Sequence, residues 1–232
     1  MSFQQGNLLL EQLPTEDVQR LLPYLQLVSL EKNQVVFAQD APVSHFYFPL
    51  TTVVTFSIQT SDGYQTDVAL TDCSGMFPLS VVADSHCLLE VRVLLSGLAY
   101  RLPVDVLREE FSRGQALAKL VMRAVRHLLA QLSLNSACFR RHSTRQILAK
   151  LLLVAVHHRR DGDLEITHGQ VADIVGVRRE AITLALKQLE HKGALVCSRG
   201  RIRLLDRTVL EGMACDCYRA RMNLGMFQRL LV

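Results

Sequence analysis

The chain has 232 residues, 49% hydrophobic and 21% charged, a globular make-up with length enough for two cores. No run of eighteen apolar residues occurs, and the start MSFQQGNLLLEQLPTED lacks the basic stretch and cleavage site of a secretory signal. A membrane span and secretion are thus not expected, and a cytoplasmic location is.

The net charge of +4 is spread unevenly. Residues 1–112 hold 5 Lys/Arg against 13 Asp/Glu, whereas residues 139–207 hold 14 against 7. A polyanionic partner suits only the second half, unless that basic region is simply a solvated face.

In chain order, Leu8, Leu9, Leu13, Val18, Leu21 and Leu22 fall at helical intervals and predict a helix over Asn7 to Leu27. From Val28 to Leu102 the pattern changes to short β-rich pieces, Val35–Phe37, Phe46–Phe48, Val53–Ile58, Thr66–Leu70 and Val91–Leu95. Asp62-Gly63 between the third and fourth is a hairpin signal. Several short strands at near-regular spacing predict a compact roll or barrel, whose interior either takes a small molecule or fills with side chains. A short helix follows Pro103, from Val104 to Phe111.

After Gly114 one helical pattern runs to about Phe139. Leu117, Val121, Ala124, Leu128, Gln131, Asn135 and Cys138 alternate steps of four and three, a 3.5-residue repeat that predicts a seam between two copies of the chain. The alternative is packing of that stripe on the chain's own roll; Leu120, Leu129 and Leu132 on the adjoining face are expected to do this instead. Phe139 to His142 reads as a hinge. Ser143 caps a helix over Thr144 to His157, and Asp161-Gly162 turns the chain through a strand, Leu164–Ile166.

The stretch THGQVADIVGVRREAITLALKQLEHKGAL, Thr167 to Leu195, reads as two helices and a tight turn. Thr167 with Gln170 forms a capping box, Val171, Ile174 and Val175 give one apolar face, and Gly176 supplies the break. The second helix runs from about Arg178 to His191, with Ile182, Leu186 and Leu189 apolar. Its first turn carries Arg178, Arg179 and Glu180, able to fork onto guanine or to accept from cytosine. Thr183 and Lys187 continue that face. This spacing fits a helix-turn-helix that places its second helix in the major groove; it also fits two ordinary core helices with a solvated start. Beyond Gly193, two strands flanking Ser198-Arg199-Gly200 form a wing, with Arg199 and Arg201 at its tip placed for phosphate and Arg203 on a strand edge.

The order of parts, together with YFPLTTVV, AYRLP, LREEF, GVRRE and SRGRIRLLDR followed by CDCY, resembles the Crp/Fnr family of bacterial transcription regulators. The resemblance implies an α+β chain: a cyclic-nucleotide-binding-like β-roll over 1–112, a dimerisation helix and hinge over 113–140, and a winged helix-turn-helix over 141–232. It implies a homodimer on double-stranded DNA, with RNA polymerase as a further partner. It makes Arg179 the guanine reader, Glu180 the reader of the next base pair, and Lys187 and Gln170 backbone contacts. Leu184 departs from the family, which often has Arg there; a Leu can touch a thymine methyl or pack inward. Arg178 stands where a capping Ser or Thr is usual.

The effector side departs further. Where cyclic-nucleotide-binding members carry Gly-Glu-Leu, this chain reads Gly75 to Ser80 without a Glu, and Glu90 lies about where the phosphate-binding Arg belongs. Cyclic AMP and cyclic GMP are therefore not expected as effectors, and which effector the chain takes stays unknown. No Cys precedes Cys73, which excludes the N-terminal iron–sulfur ligand set of the oxygen-sensing members.

Six cysteines show no CxxC pair, and Cys215 with Cys217 is a poor zinc chelate unless two further ligands lie nearby. No metal or cofactor is expected. A haem-responsive sensor using His45, His86 or His127, or a redox sensor using the cysteines, is the alternative function. No Ser/His/Asp set, phosphate-binding Gly loop or paired carboxylate site points to an enzyme.

Overall fold

The computed structural model describes residues 6–63, 65–79, 86–113, 115–157 and 162–222, so Ser80 and Asp161 lie outside the described residues. The chain divides into two compact units, residues 1–63 with 69–129 and residues 64–68 with 130–232.

In the first unit the expected N-terminal helix is broken into pieces. A 3-10 turn at Leu10–Gln12 precedes helix α1 (Thr15–Leu21), which Pro14 starts and which carries Glu16 and Asp17 in its first turn. A second 3-10 turn holds Pro23, and strand β1 (Gln26–Leu30) begins where helix was expected. The reason lies in the bonds that Asn7 makes. Asn7 is buried, its amide donates to the carbonyls of Pro49 and Gly75 (2.9 Å each), and its Oδ1 accepts from the N–H groups of Leu9 and Leu10. That bonding fixes a turn rather than a helix.

Strands β2 (Val35–Phe37), β3 (His45–Pro49), β4 (Val53–Gln59), β5 (Gln65–Thr71), β6 (Glu90–Leu95) and β7 (Gly97–Pro103) complete the roll. One sheet runs β1-β7-β3 and the other β2-β6-β4-β5. The turn at Asp62-Gly63 joins neighbours β4 and β5, with Gly63 donating to the Thr60 carbonyl at 2.8 Å. Between the sheets Phe46, Phe48, Met76, Phe77 and Val91 are almost fully buried, so side chains occupy this part of the interior. Tyr47 stacks on Phe77 at 5.1 Å between ring centroids.

Helix α2 (Val104–Arg113) follows β7, and its buried Glu110 pairs with Arg20 of α1 at 2.9 Å and with Arg113 at 3.2 Å. Helix α3 (Gln115–Arg141) has 27 residues, about 40 Å at 1.5 Å per residue. Its faces differ from the expectation. Leu117, Val121, Ala124 and Gln131 are buried within the chain itself, and Leu128 and Asn135 are half-buried. The Asn135 amide donates to the Val68 carbonyl, and its Oδ1 accepts from Lys150 Nζ, both at 2.9 Å. Leu120 is buried as expected, but Leu129 is not: it is 64% exposed, Met122 54% and Phe139 47%. With the half-buried Val125 and Leu132, these residues repeat the same three- and four-residue steps on another face. Two offset apolar stripes with one period are indistinguishable by spacing alone.

In the second unit Ser143 and Gln146 form a capping box for helix α4 (Thr144–Ala155), whose residues Ile147 to Ala155 are all buried. There follow β8 (Asp163–Leu164), α5 (His168–Val175), α6 (Arg179–His191), β9 (Leu195–Ser198) and β10 (Arg201–Leu204). The strands form one sheet in the order β8-β10-β9. Helices α7 (Arg207–Met213) and α8 (Cys217–Met222) close the described chain. Asp206 caps α7 by accepting from the Val209 N–H at 3.0 Å.

Candidate nucleic-acid interface

Two short helices define this surface. Thr167 Oγ1 accepts from the Gln170 N–H at 3.2 Å, and Gln170 Oε1 accepts from the Thr167 N–H at 3.0 Å, so the capping box starts α5 as the sequence predicts. The Gln170 carbonyl oxygen is thereby committed to the cap. Gly176 ends the helix in the left-handed region, φ 71° and ψ 36°, with its N–H donating to the Ala172 carbonyl at 2.8 Å. That conformation sets the angle at which the chain enters α6. Gly176→Ala is expected to destabilise the protein by about 1–2 kcal/mol through left-handed strain, although no atom would meet the added methyl. Urea unfolding of the full chain checks this, and an unchanged midpoint would contradict it.

One face of α6 is core: Ile182, Ala185, Leu186 and Leu189 are buried, and α6 packs against α4 and α5. Ile182, Leu186 and Leu189 each contribute about 1.5–3 kcal/mol, which anchors the helix. The opposite face carries the exposed residues Arg178, Arg179, Glu180, Leu184 and Lys187. Arg179, Glu180, Thr183, Leu184 and Lys187 line one shallow concavity. Arg178 stands at the N-cap and makes no side-chain capping bond, as its replacement of Ser or Thr predicts. In the first turn the Ala181 N–H donates to the Arg178 carbonyl at 3.0 Å, and no side chain caps the N–H groups before it.

Two details refine the expected set. Thr183 Oγ1 donates to the Arg179 carbonyl at 3.0 Å and lies 3.0 Å from His168 Nδ1, so its hydroxyl ties α6 to α5. Leu184 does not pack inward; at 61% exposed it stands beside Arg179 and Glu180.

The wing forms as predicted, with Gly200 at φ 74° in its turn. Arg199 is exposed there and has no partner among the described residues. Arg201, exposed beside that turn, pairs with Glu165, and Arg203 forks onto Asp163 at 2.7 and 2.9 Å. These pairs brace the three-stranded sheet. The carboxylates at 163 and 165 are the signal that composition by segment concealed.

In the first unit Glu90 accepts from Arg92 Nε at 3.0 Å and from its terminal nitrogen at 2.6 Å, an ion pair within β6. At the preceding turn a Cβ on Gly75 would collide with Thr71 Oγ1, so the Thr71 hydroxyl would have to move. His45 lies on β3, His86 is exposed, and His127 is buried in α3.

The cysteines fall into two groups. Burial pushes the Cys73 thiol upward and, with Glu190 nearby, pushes Cys197 up to about 11, so neither is a ready thiolate. Cys138, Cys215 and Cys217, by contrast, converge with His142. Sequence spacing left the Cys215–Cys217 pair without partners; the fold supplies two.

Residues 139–213 match the Crp-like helix-turn-helix domain family. No curated protein matches the chain in sequence. Among solved structures, FixK2 from Bradyrhizobium japonicum is similar at TM-score 0.70 and 17% identity, over 82% of this chain and 98% of that one. A putative Crp/Fnr-family transcriptional regulator from Eubacterium rectale is similar at TM-score 0.66 and 18% identity, over 88% and 96%. TTHB099, a CRP-family transcriptional regulator from Thermus thermophilus, is similar at TM-score 0.64 and 17% identity, over 81% and 96%. At these identities the likeness concerns the fold, and it extends over both units.

Proposed function

Because the chain carries a Crp-like helix-turn-helix domain on the fold of the Crp/Fnr transcription regulators, we propose that it is a homodimeric, sequence-specific DNA-binding regulator that does not use cyclic AMP. The observation that carries this reading is the outer face of α6. Arg179, Glu180, Leu184 and Lys187 share one exposed concavity on a helix whose other face is locked into a core. Exposed donors, an acceptor and an apolar tip on a rigid helix are what reading of base edges in a major groove requires.

In this reading Arg179 forks onto a guanine, and Glu180 accepts from a cytosine amine. Lys187 and Arg178 contact phosphates, as does Arg199 at the wing. Gln170 and Thr183 act mainly by holding α5 and α6 in register, because their side-chain oxygens are already engaged. Arg201 acts through the wing it braces. The Glu90–Arg92 pair supports an effector other than a cyclic nucleotide, since Glu90 brings a carboxylate where a phosphate would sit.

The dimer seam belongs on the exposed stripe of α3 rather than on the buried one. Met122, Leu129 and Phe139, with Val125 and Leu132 beside them, offer a second copy an apolar ridge with heptad spacing. A two-fold pair of recognition helices then fits a palindrome.

The reading is tested by the ratio of affinities for a selected two-fold site and for a scrambled duplex of equal composition, at one salt concentration. A ratio of about 10³ or more is expected. A ratio near one would reduce the basic unit to charge alone. Leu184 adds a finer expectation. Replacing one half-site thymine by uracil removes a single methyl, which should cost about 0.8 kcal/mol, roughly fourfold in affinity, and Leu184→Ala should abolish that difference. Equal loss in both proteins would remove Leu184 from the readout.

A further inference from the structure

Outside the DNA-facing surface the second unit brings together four side chains from opposite ends of its sequence. Cys138 lies in the last turn of α3, and His142 follows one turn later, its N–H still donating to the Cys138 carbonyl at 3.0 Å. Cys215 and Cys217 flank Asp216 where α7 passes into α8, in a turn closed by the Tyr218 N–H on the Cys215 carbonyl at 3.0 Å. One ligand atom from each of the four lies within 4.8 Å of all the others. Cys138 Sγ is 3.6 Å from Cys215 Sγ, and Cys217 Sγ is 3.6 Å from His142 Nε2.

The two 3.6 Å separations match the edges of a tetrahedral site, and the four atoms are close enough together for one ion to draw them in. With zinc–sulfur bonds near 2.3 Å and zinc–nitrogen bonds near 2.0–2.1 Å, ligand atoms stand about 3.6–3.8 Å apart. We propose that Cys138, His142, Cys215 and Cys217 form a site for a thiophilic divalent cation, zinc by preference. The ligand types agree: three sulfurs and an imidazole suit zinc and exclude calcium and magnesium, which take oxygen.

A second observation points the same way. Lys150 is only 8% exposed, yet no carboxylate among the described residues pairs with it. Its ammonium donates to Asn135 Oδ1 at 2.9 Å and reaches Cys138 Sγ at 3.2 Å. A buried ammonium needs an opposite charge. Three thiolates around a divalent ion leave one negative charge, which Lys150 balances at the sulfur it already contacts. Binding releases the three thiol protons and forms four metal–ligand bonds, with no oxidation.

The site is closed, having four protein ligands and no open position, so its role is structural. It ties the start of α8 to the end of α3, immediately before the Ser143 cap of α4. It is independent of the DNA reading, because no DNA-facing residue takes part.

The test uses the full chain, reduced and stripped of metal, titrated with cobalt(II). Expected are one equivalent bound, sulfur-to-cobalt charge transfer in the near ultraviolet, and the strong visible bands of a tetrahedral site, all displaced by one equivalent of zinc. Cys217→Ser, a half-buried and mild change, should lower the charge-transfer intensity by about a third, from three thiolates to two. His142→Ala should leave the charge transfer and shift the visible bands. Absent bands in the wild-type chain with every thiol titratable would overturn the proposal. So would an unaltered spectrum in Cys217→Ser.

Discussion

Arg179→Ala is expected to weaken binding to the cognate duplex by about 1–3 kcal/mol, some five- to 150-fold, and to relax preference at one base pair of each half-site. The size follows from what the guanidinium offers. Arg179 is exposed in the first turn of α6, and no carboxylate pairs with it among the described residues, so its fork is available to O6 and N7 of a guanine. Lys187, about two turns further along the same face, is a point charge that reads no base. Its replacement should weaken cognate and random duplexes alike and reduce the salt slope by about one. The fold should tolerate both changes, since the anchoring residues Ile182, Leu186 and Leu189 lie on the other face. Fluorescence anisotropy on cognate and scrambled duplexes separates the outcomes. If Arg179→Ala weakens both equally, the assigned base contact is wrong.

Leu129→Asp is expected to turn the proposed dimer into a monomer without unfolding the chain. A leucine that becomes buried contributes about 1.5–3 kcal/mol, and two-fold symmetry counts it twice. The dimer constant should therefore weaken by roughly two to four orders of magnitude. Because Leu129 is 64% exposed in the single chain, thermal stability extrapolated to the monomer should scarcely change. Val121→Asp is the contrast. That residue is buried in the first unit, and a carboxylate there should unfold it. Sedimentation equilibrium measures both. A Leu129→Asp chain that stays dimeric would remove this stripe from the interface.

Much of the fold was legible because its signals are local. The capping boxes at Ser143 and Thr167, the left-handed Gly176 and the apolar stripe of α6 each encode their element within a few residues. The hairpin at Asp62-Gly63 is of the same kind. What the sequence hid depends on partners distant along the chain. Asn7 breaks the expected N-terminal helix by bonding to Pro49 and Gly75, more than forty residues away. The repeat Leu117, Val121, Ala124 and the repeat Met122, Leu129, Phe139 share a period, and only packing shows which faces inward.

The candidate site divides the same way. The α6 face was readable from helical spacing. That Arg201 pairs with Glu165, and that Thr183 bonds to the Arg179 carbonyl, required the fold. The Cys-x-Cys at 215–217 was visible as a pair, and Cys138 as a separate residue of the long helix. Their meeting was not, because 77 residues separate Cys138 from Cys215.

The most direct test is selection of duplexes from a random pool by the purified, reduced wild-type chain with no small molecule added, followed by sequencing. The expected result is a two-fold palindrome with half-sites one helical turn apart, about 10–10.5 base pairs, carrying a guanine in each half whose enrichment disappears with Arg179→Ala. Enrichment of a single unpaired half-site would contradict the dimer. Weak, salt-sensitive binding with no sequence enriched would contradict a recognition surface competent on its own.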